Sequence, residues 1–312
     1  MALASPRADN LNIICDLVWL VSEGEIYDST SFRVYTTTRQ LMDGRKPWKQ
    51  TRQYHYVSAL RDLELVSLTR KKAELTDKGH ELAKVVFFGY LQPRELCQNE
   101  KEFLRVHLLA YQPFVKFLGR FLFTSRNFSS YKQLKSEGGI LIFEKDRQNE
   151  VEVMIRPDGQ RELLPPNMVY EIKWTLKNWC KDLSLIDEIF LEYTFNNIGN
   201  RHRRIFFPLN IDVSEMSLDD FREKIDSLLN SGLYNGNYVR IPLLMYDFCT
   251  KYYISVRGFH LMLGKLYQKF PTKYRLEKIS SLYIDERYIH KINGYANYPK
   301  IDDSYRYSLV RK

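Results

Sequence analysis

The segment from Val57 to Lys84 holds, in order, the end of a helix, two short strands around a basic turn, and the beginning of another helix. Apolar residues at helical spacing indicate the first helix, and short apolar runs indicate the strands. Thr76 and Asp77 can cap the helix that follows. Because these elements must share one small core, their order favours an α+β domain. The apolar residues are Val57, Leu60 and Leu63 in the helix, and Leu65, Val66, Leu68, Ala73 and Leu75 in the strands.

Three helices are predicted before this hairpin. The first covers residues 11–22, where apolar residues recur at intervals of three and four. The second runs from Ser31 to Met42 and ends at Asp43 and Gly44. The third begins at Pro47, a favourable first-turn residue, and leads into the apolar stripe at Val57.

The third helix is cationic over most of its length. No Asp or Glu occurs from Gly44 to Arg61. With Val57 and Leu60 facing the core, basic and polar side chains are expected on the open side, where they can pair with base edges in a major groove. The basic hairpin tip can contact phosphates. The predicted DNA-binding residues are Arg45, Lys46, Lys49, Arg52, Gln53, Tyr56, Arg70, Lys71 and Lys72.

This region resembles the winged helix-turn-helix domains of bacterial and archaeal regulators. Those domains end in a helix, a strand, a basic hairpin, and a strand that leads into a Leu-Thr-x-x-Gly helix, here Leu75-Thr76-Asp77-Lys78-Gly79. The resemblance covers residues 1–90 and implies a DNA-binding domain. A winged helix that contacts proteins is the alternative.

A second cationic segment lies near the C-terminus. The chain has a net charge of +9, and residues 251–312 contain 13 basic but only five acidic residues. A basic surface of this kind attracts polyanions. From Pro242 to Leu276 the pattern is helix, tight turn, helix and basic strand, which favours a second winged helix or another small helical arrangement. The predicted DNA-binding residues here are Arg257, His260, Lys265, Lys273 and Arg275.

The middle of the chain contains candidate catalytic carboxylates. Pro157-Asp158 follows one predicted strand, and Glu171-Ile172-Lys173 is expected inside another, where Glu171 and Lys173 would share a face. This arrangement is similar to the signature of the restriction-endonuclease-like superfamily. The similarity implies that Asp158 and Glu171 hold Mg²⁺ and that Lys173 orients the attacking water. Alternatively, Pro157-Asp158-Gly159 is a plain reverse turn.

The sequence therefore predicts an α+β protein of four segments. These are an N-terminal winged helix (1–90), a helical connector (91–135), a small mixed α/β domain (136–212) and a basic C-terminal domain (213–312). Four scattered cysteines fit neither a zinc site nor a disulfide framework and suit a reducing cytoplasm. No apolar run reaches the length of a membrane span, so no membrane partner is expected.

Three functions remain open at this point. The first is a non-catalytic protein that binds DNA by its sequence or structure, in a prokaryotic defence, mobile-element or regulatory system, and needs no cofactor. The second is a Mg²⁺-dependent DNA endonuclease with a winged-helix recognition domain. The third is a scaffold subunit whose winged helices contact other protein subunits. DNA is the expected partner in the first two.

Overall fold

Helix α1 (Leu11–Ser22) is buried on nearly every side in a computed structural model of the protein. Its apolar side chains recur at intervals of three and four residues, and they fill the interior of its part of the molecule. The first helix predicted from the sequence is therefore confirmed. The structure describes residues 8–123, 127–145, 152–193, 201–210, 216–234, 238–278, 299–302 and 304–312.

The remaining elements make the protein mixed α+β, which confirms the predicted class. The π-helical turns Tyr35–Arg39 and Glu171–Leu176 each join two short helices into one. In chain order after α1, the elements are α2 (Ser29–Val34), α3 (Gln40–Met42), α4 (Gln50–Asp62), β1 (Val66–Leu68), β2 (Ala73–Leu75), α5 (Asp77–Ala83), α6 (Gln98–Leu108), α7 (Gln112–Gly119), α8 (Tyr131–Glu137), β3 (Leu141–Lys145), β4 (Glu152–Ile155), β5 (Arg161–Leu164), α9 (Pro166–Tyr170), α10 (Lys177–Asp182), β6 (Ile186–Tyr193), β7 (Arg201–Pro208), α11 (Leu218–Asn230), β8 (Tyr238–Arg240), α12 (Ile241–Tyr252), α13 (Val256–Lys269), β9 (Tyr274–Lys278), β10 (Lys300–Ile301) and β11 (Ser304–Arg311).

The chain forms two compact units, each assembled from several segments. Unit 1 comprises Met1–Arg120, Ser125–Ser130 and Leu164–Leu185, and unit 2 comprises Phe121–Thr124, Tyr131–Leu163 and Ile186–Lys312. These boundaries differ from the four predicted segments. Helices α6 and α7 share a unit with α1 to α5, and the chain returns to that unit between residues 164 and 185.

Unit 1 begins with three helical segments before its hairpin. The Asp28 carboxylate caps α2 by accepting a hydrogen bond from the Ser31 N–H at 2.6 Å. Helix α2, its π-helical turn and α3 are continuous, which confirms the helix predicted from Ser31 to Met42. Helix α4 begins at Gln50 rather than at the predicted Pro47, because Lys49 has an extended backbone (ψ 151°) and is the N-cap.

The predicted hairpin is also confirmed: β1 and β2 are antiparallel, with Ser67 opposite Glu74. The second strand leads into α5, which Thr76 caps by accepting a hydrogen bond from the Gly79 N–H at 3.1 Å. A Cβ on Gly79 would lie 2.1 Å from the Leu65 carbonyl oxygen. This glycine therefore allows α5 to pack directly against the chain that enters the hairpin.

Two buried carboxylates around one arginine fix the chain near residue 90 against α1. The Asp16 carboxylate accepts hydrogen bonds from two backbone N–H groups, one of them that of Leu91 at 2.8 Å. Glu100 accepts hydrogen bonds from both terminal nitrogens of Arg94, which also lies 3.3 Å from Asp16. Because both carboxylates are fully buried, this network ties the first part of the predicted connector, up to Arg120, into unit 1.

The segment after β5 corrects one prediction from the sequence. Glu171 to Lys173, expected inside a strand, is helical, and the helix continues to Asp182 and is followed by β6. The buried residues explain the difference, since Ile172, Thr175, Leu176, Trp179, Cys180 and Leu183 follow the period of a helix. Pro166 is also a favourable first residue for a helix.

Unit 2 contains two sheets. Five strands form the first, in the order β5-β4-β3-β7-β6. In the second, β11 lies between β8 and β9 and pairs antiparallel with both, while β10 also pairs with β11. Helices α11, α12 and α13 surround a shared aromatic core made by Phe221, Phe248 and Phe259, whose rings lie 4.8–5.8 Å apart.

Strand β11 supplies what the sequence did not reveal near the C-terminus, namely a partner for the basic strand β9. The helices α12 and α13 and the strand β9 were predicted, and they are confirmed with shifts of only a few residues at their ends. Among the described residues, none of the helices combines the length and apolar character needed to cross a bilayer.

Candidate functional site

Helix α4 presents an exposed, polar N-terminal half. Residues Gln50, Thr51, Arg52 and Tyr54 are exposed, and Tyr54 retains 61% of its accessible surface. The opposite side of the helix is buried by Tyr56, Ala59 and Leu60, among others. Lys46 and Lys49, directly before the helix, are also exposed. This half of α4 therefore combines hydrogen-bonding groups, positive charge and an aromatic ring on one open surface.

Two of the predicted contact residues on α4 are buried, which corrects their assignment. The Gln53 amide donates a hydrogen bond to Thr36 Oγ1 at 2.8 Å, inside the packing between α4 and the π-helical turn. Tyr56 is fully buried, and burial together with the nearby Asp9 carboxylate raises its pKa to about 12. Both side chains stabilise the unit and are not available to a ligand in this conformation.

Arg52 is exposed but held in place by aromatic rings. Its guanidinium carbon lies 4.4 Å from the centre of the Trp48 ring and 5.7 Å from that of Tyr56. A cation over an aromatic face is attracted by the negative potential of the ring. Trp48 is itself buried, so the guanidinium is oriented by the core of the unit.

Arg45 is only partly available, because its side chain forms two local contacts. It makes an ion pair with Asp43 and a hydrogen bond to the Tyr90 carbonyl oxygen. Its guanidinium therefore joins two loops of unit 1. Of the cations predicted before α4, Lys46 and Lys49 are the more exposed.

The tip of the β1–β2 hairpin is a tight turn with two exposed cations. The Thr69 N–H donates to the Lys72 carbonyl oxygen at 2.7 Å, and Thr69 Oγ1 accepts from the Lys72 N–H at 3.0 Å. Arg70 and Lys71 occupy the two loop positions and are exposed. Lys72 is exposed as well, but it forms an ion pair with Glu74.

In unit 2, helix α13 also presents a cationic outer face. Arg257 and Lys265 are exposed there, as predicted, and lie two turns apart. His260 is different: its Nε2 atom is buried without a hydrogen-bond partner among the described residues, and burial lowers its pKa to about 4. The contact by His260 therefore stays a prediction, but its Nε2 atom is enclosed in this conformation and the lowered pKa favours the neutral ring.

The other two predicted cations of unit 2 belong to ion pairs. Lys273 Nζ lies 2.6 Å from the Asp226 carboxylate, which also accepts a hydrogen bond from the Tyr274 hydroxyl at 2.7 Å. Arg275 is exposed and pairs with Glu277 at 2.7 Å. Lys273 therefore connects β9 with α11, whereas Arg275 retains an open side.

The candidate catalytic residues do not form the predicted arrangement. Asp158 lies in the tight turn between β4 and β5, where its carboxylate accepts a hydrogen bond from the Gln160 N–H at 3.0 Å. Gly159 has a positive φ of 81°, which completes the turn. Asp158 is exposed at the tip of a hairpin of unit 2, which agrees with the alternative of a plain reverse turn.

Glu171 and Lys173 lie on the π-helical turn of unit 1, not on a strand. Residues two positions apart on a helix point to roughly opposite sides, so the two side chains do not share a face. Burial raises the pKa of Glu171, and Arg120 opposes that shift. In the part of the chain that the structure describes, no group of three His, Cys, Asp or Glu residues could hold a metal ion.

Gln50, Thr51 and Tyr54 on α4 and Leu261 on α13 are exposed on the same two surfaces, and they were not among the residues predicted from the sequence. The absence of acidic residues from Gly44 to Arg61 was the available signal for the first three. No family model matches the chain, and neither a curated protein nor a solved structure has a significant match to it.

Proposed function

We propose that this protein binds duplex DNA and that unit 1 is a winged helix-turn-helix domain. The order of its elements supports this: α1, the continuous α2–α3 helix and α4 precede an antiparallel hairpin and α5. In such domains the third helix enters the major groove and the hairpin, or wing, lies beside it. Helix α4 and the β1–β2 hairpin are the corresponding elements here.

The observation that carries the proposal is the composition of the exposed half of α4. Lys46, Lys49 and Arg52 provide positive charge without an acidic neighbour, and the glutamine, threonine and tyrosine beside them are suited to base edges and phosphates. At the hairpin tip, Arg70 and Lys71 are suited to phosphates, which would position the domain without reading sequence.

Unit 2 supports the same function through a second set of elements. Helix α11, strand β8, helices α12 and α13, and strands β9 and β11 follow one another, and the three strands pair in the order β8-β11-β9. This succession resembles that of a winged helix, which supports the proposal that α13 is the helix that enters the groove. The protein would then contact DNA through two such helices.

The test measures the affinity of the full chain for duplexes over a range of salt concentrations. Lys49→Glu with Arg52→Glu should weaken binding by about 1–3 kcal/mol for each side chain that pairs with a base edge. Lys132→Glu with Lys135→Glu is the matched control, since it reverses two charges on exposed residues of α8. Its effect should be small.

Salt dependence distinguishes DNA binding from a role in protein assembly. Contacts to phosphates release counterions, so affinity should fall steeply and linearly with salt on logarithmic axes. The absence of salt-dependent retention on any duplex would overturn the proposal. Equal losses of affinity in the α4 variant and the α8 control would remove α4 as the element that enters the groove.

A further inference from the structure

The outer face of α13 contains one apolar side chain among cations and polar groups. Leu261 retains 51% of its accessible surface, although the same helix buries Phe259, Met262, Leu263 and Leu266. Arg257 and Lys265 lie one turn before and one turn after Leu261, so all three share a face. We call the group formed by Arg257, Leu261, Gly264, Lys265 and Gln268 the α13 face.

Gly264 lies on this face in the middle of the helix, where glycine is unfavourable. A glycine in a helix interior costs about 0.5–1 kcal/mol relative to alanine. Packing does not require it: a Cβ at Gly264 would meet nothing nearer than Ile301, at 3.9 Å, which is an ordinary contact. Gly264 is half-buried beside Ile301. The exposed part of its backbone carries no side chain, which suits a partner that approaches the helix closely.

The charge of the surroundings indicates which partner this is. From Val256 to Lys269 the helix contains no acidic residue. On the neighbouring strand β9, Lys278 is exposed as well, and so is Arg275, which pairs with Glu277. A polyanion fits such a surface, and a major groove about 12 Å wide admits a helix whose face is flat. A second copy of this basic surface would be repelled.

We propose that the α13 face lies in the major groove and that Leu261 contacts the 5-methyl group of a thymine. This inference rests on the proposed function and adds the base that is read. Thymine is the base that presents an apolar group in the major groove, whereas the other bases present only donors and acceptors. A leucine can satisfy neither a donor nor an acceptor, so opposite any other base it would leave a polar edge unpaired.

The first experiment removes the methyl group from the DNA. A duplex preferred by the full chain is selected from a random library, and each of its thymines is replaced in turn by deoxyuridine. At one or two positions, the loss of the methyl group should weaken binding about fourfold. Leu261→Ala should weaken binding to the thymine duplex by a similar factor and should no longer distinguish thymine from deoxyuridine.

The second experiment separates binding from stability. Gly264→Ala should raise the Tm by about one to two degrees, because alanine is the better helix former. It should nevertheless lower DNA affinity about tenfold or more, because its methyl group holds the helix away from the bases. A variant that is more stable yet binds more weakly cannot be explained by misfolding.

These experiments distinguish failure of the inference about the α13 face from failure of the proposed DNA binding. If no duplex is retained in a salt-dependent way, both proposals fall. If duplexes are retained but deoxyuridine and Gly264→Ala have no effect, only the role of the α13 face is overturned. Leu243→Ala is the matched control, because Leu243 is an exposed leucine on α12 (38%), and it should leave the thymine preference unchanged. A change of oligomeric state in Leu261→Ala with unaltered DNA binding would also overturn the inference.

Discussion

The Asp182 carboxylate accepts a hydrogen bond from the backbone N–H of Leu11 at 3.1 Å, so the end of α10 caps the beginning of α1 across 171 residues of sequence. Burial raises the pKa of Asp182 to about 7, and the Asp9 carboxylate adds to the shift. The Leu11 N–H and the ammonium groups of Lys181 and Lys101 oppose it. The cap is therefore a carboxyl group that changes charge near neutral pH.

This raised pKa predicts a pH dependence of stability. The folded state binds the Asp182 proton more tightly than the unfolded state, so stability falls as pH rises from about 4 to about 7 and is constant above. Asp182→Asn keeps an oxygen acceptor and removes the titration. Relative to this variant, the protein should lose about 1–3 kcal/mol of unfolding free energy between pH 5 and pH 8. Urea unfolding at both values measures this, and parallel pH profiles for the two proteins would contradict it.

We expect removal of the Arg94 guanidinium to lower the free energy of unfolding strongly. Arg94→Met leaves the buried carboxylates of Asp16 and Glu100 without their cation, which should cost about 3–5 kcal/mol. Arg39→Met is the control, because Arg39 and its partner Glu25 are about half exposed. It should cost less than about 1 kcal/mol. Denaturant unfolding compares the two variants, and similar small losses would argue against the network.

We expect substitutions at the tip of the β1–β2 hairpin to weaken DNA binding by an amount that does not depend on the DNA sequence. Arg70→Ala with Lys71→Ala should weaken binding to all duplexes alike. It should also make the slope of log affinity against log salt shallower by about 2, since two phosphates are no longer neutralised. Lys72→Ala should change the slope less, because Lys72 is paired with Glu74. A variant that loses affinity only for selected duplexes would show that the hairpin reads bases.

We expect substitution of Asp158 to lower the free energy of unfolding modestly. We expect it to have no effect on whether duplex DNA is cut. Asp158→Ala removes the hydrogen bond from the Gln160 N–H and should cost about 0.5–2 kcal/mol. Incubation of duplex DNA in Mg²⁺ and in EDTA provides the second readout. Cutting that requires Mg²⁺ and disappears in the variant would revive the nuclease hypothesis.

Local signals allowed much of unit 1 to be predicted. The intervals in α1, the short apolar runs of the hairpin and the Thr76 cap each lie within a few residues of the feature they specify. The face of α4 was assigned less well. Gln53 is buried through a hydrogen bond to Thr36, 17 residues earlier, and a polar residue gives no local sign of such a partner.

Longer-range relationships account for the remaining differences. Strand β11 begins 26 residues after β9 ends, yet it pairs with β9 and with β8. No turn signal connects strands so far apart. Met168 to Trp174 is a short apolar run, and periodicity alone does not distinguish a strand from a helix over that length. Glu171 and Lys173 were expected to share a face only because this run was interpreted as a strand.

The segment Leu164–Leu185, which completes unit 1, is synthesised well after the rest of that unit. Trp179 Nε1 donates a hydrogen bond to the Ala8 carbonyl oxygen at 2.7 Å, beside the cap that Asp182 places on α1. After adding Arg120, a ribosome must still add 65 residues before the segment Leu164–Leu185 is complete. At about 5–20 residues per second, the part of unit 1 that precedes it waits for several seconds with apolar surface uncovered. Chaperones have that interval in which to bind, and a chain truncated before Leu164 lacks the contacts that Trp179 and Asp182 make with Ala8 and Leu11.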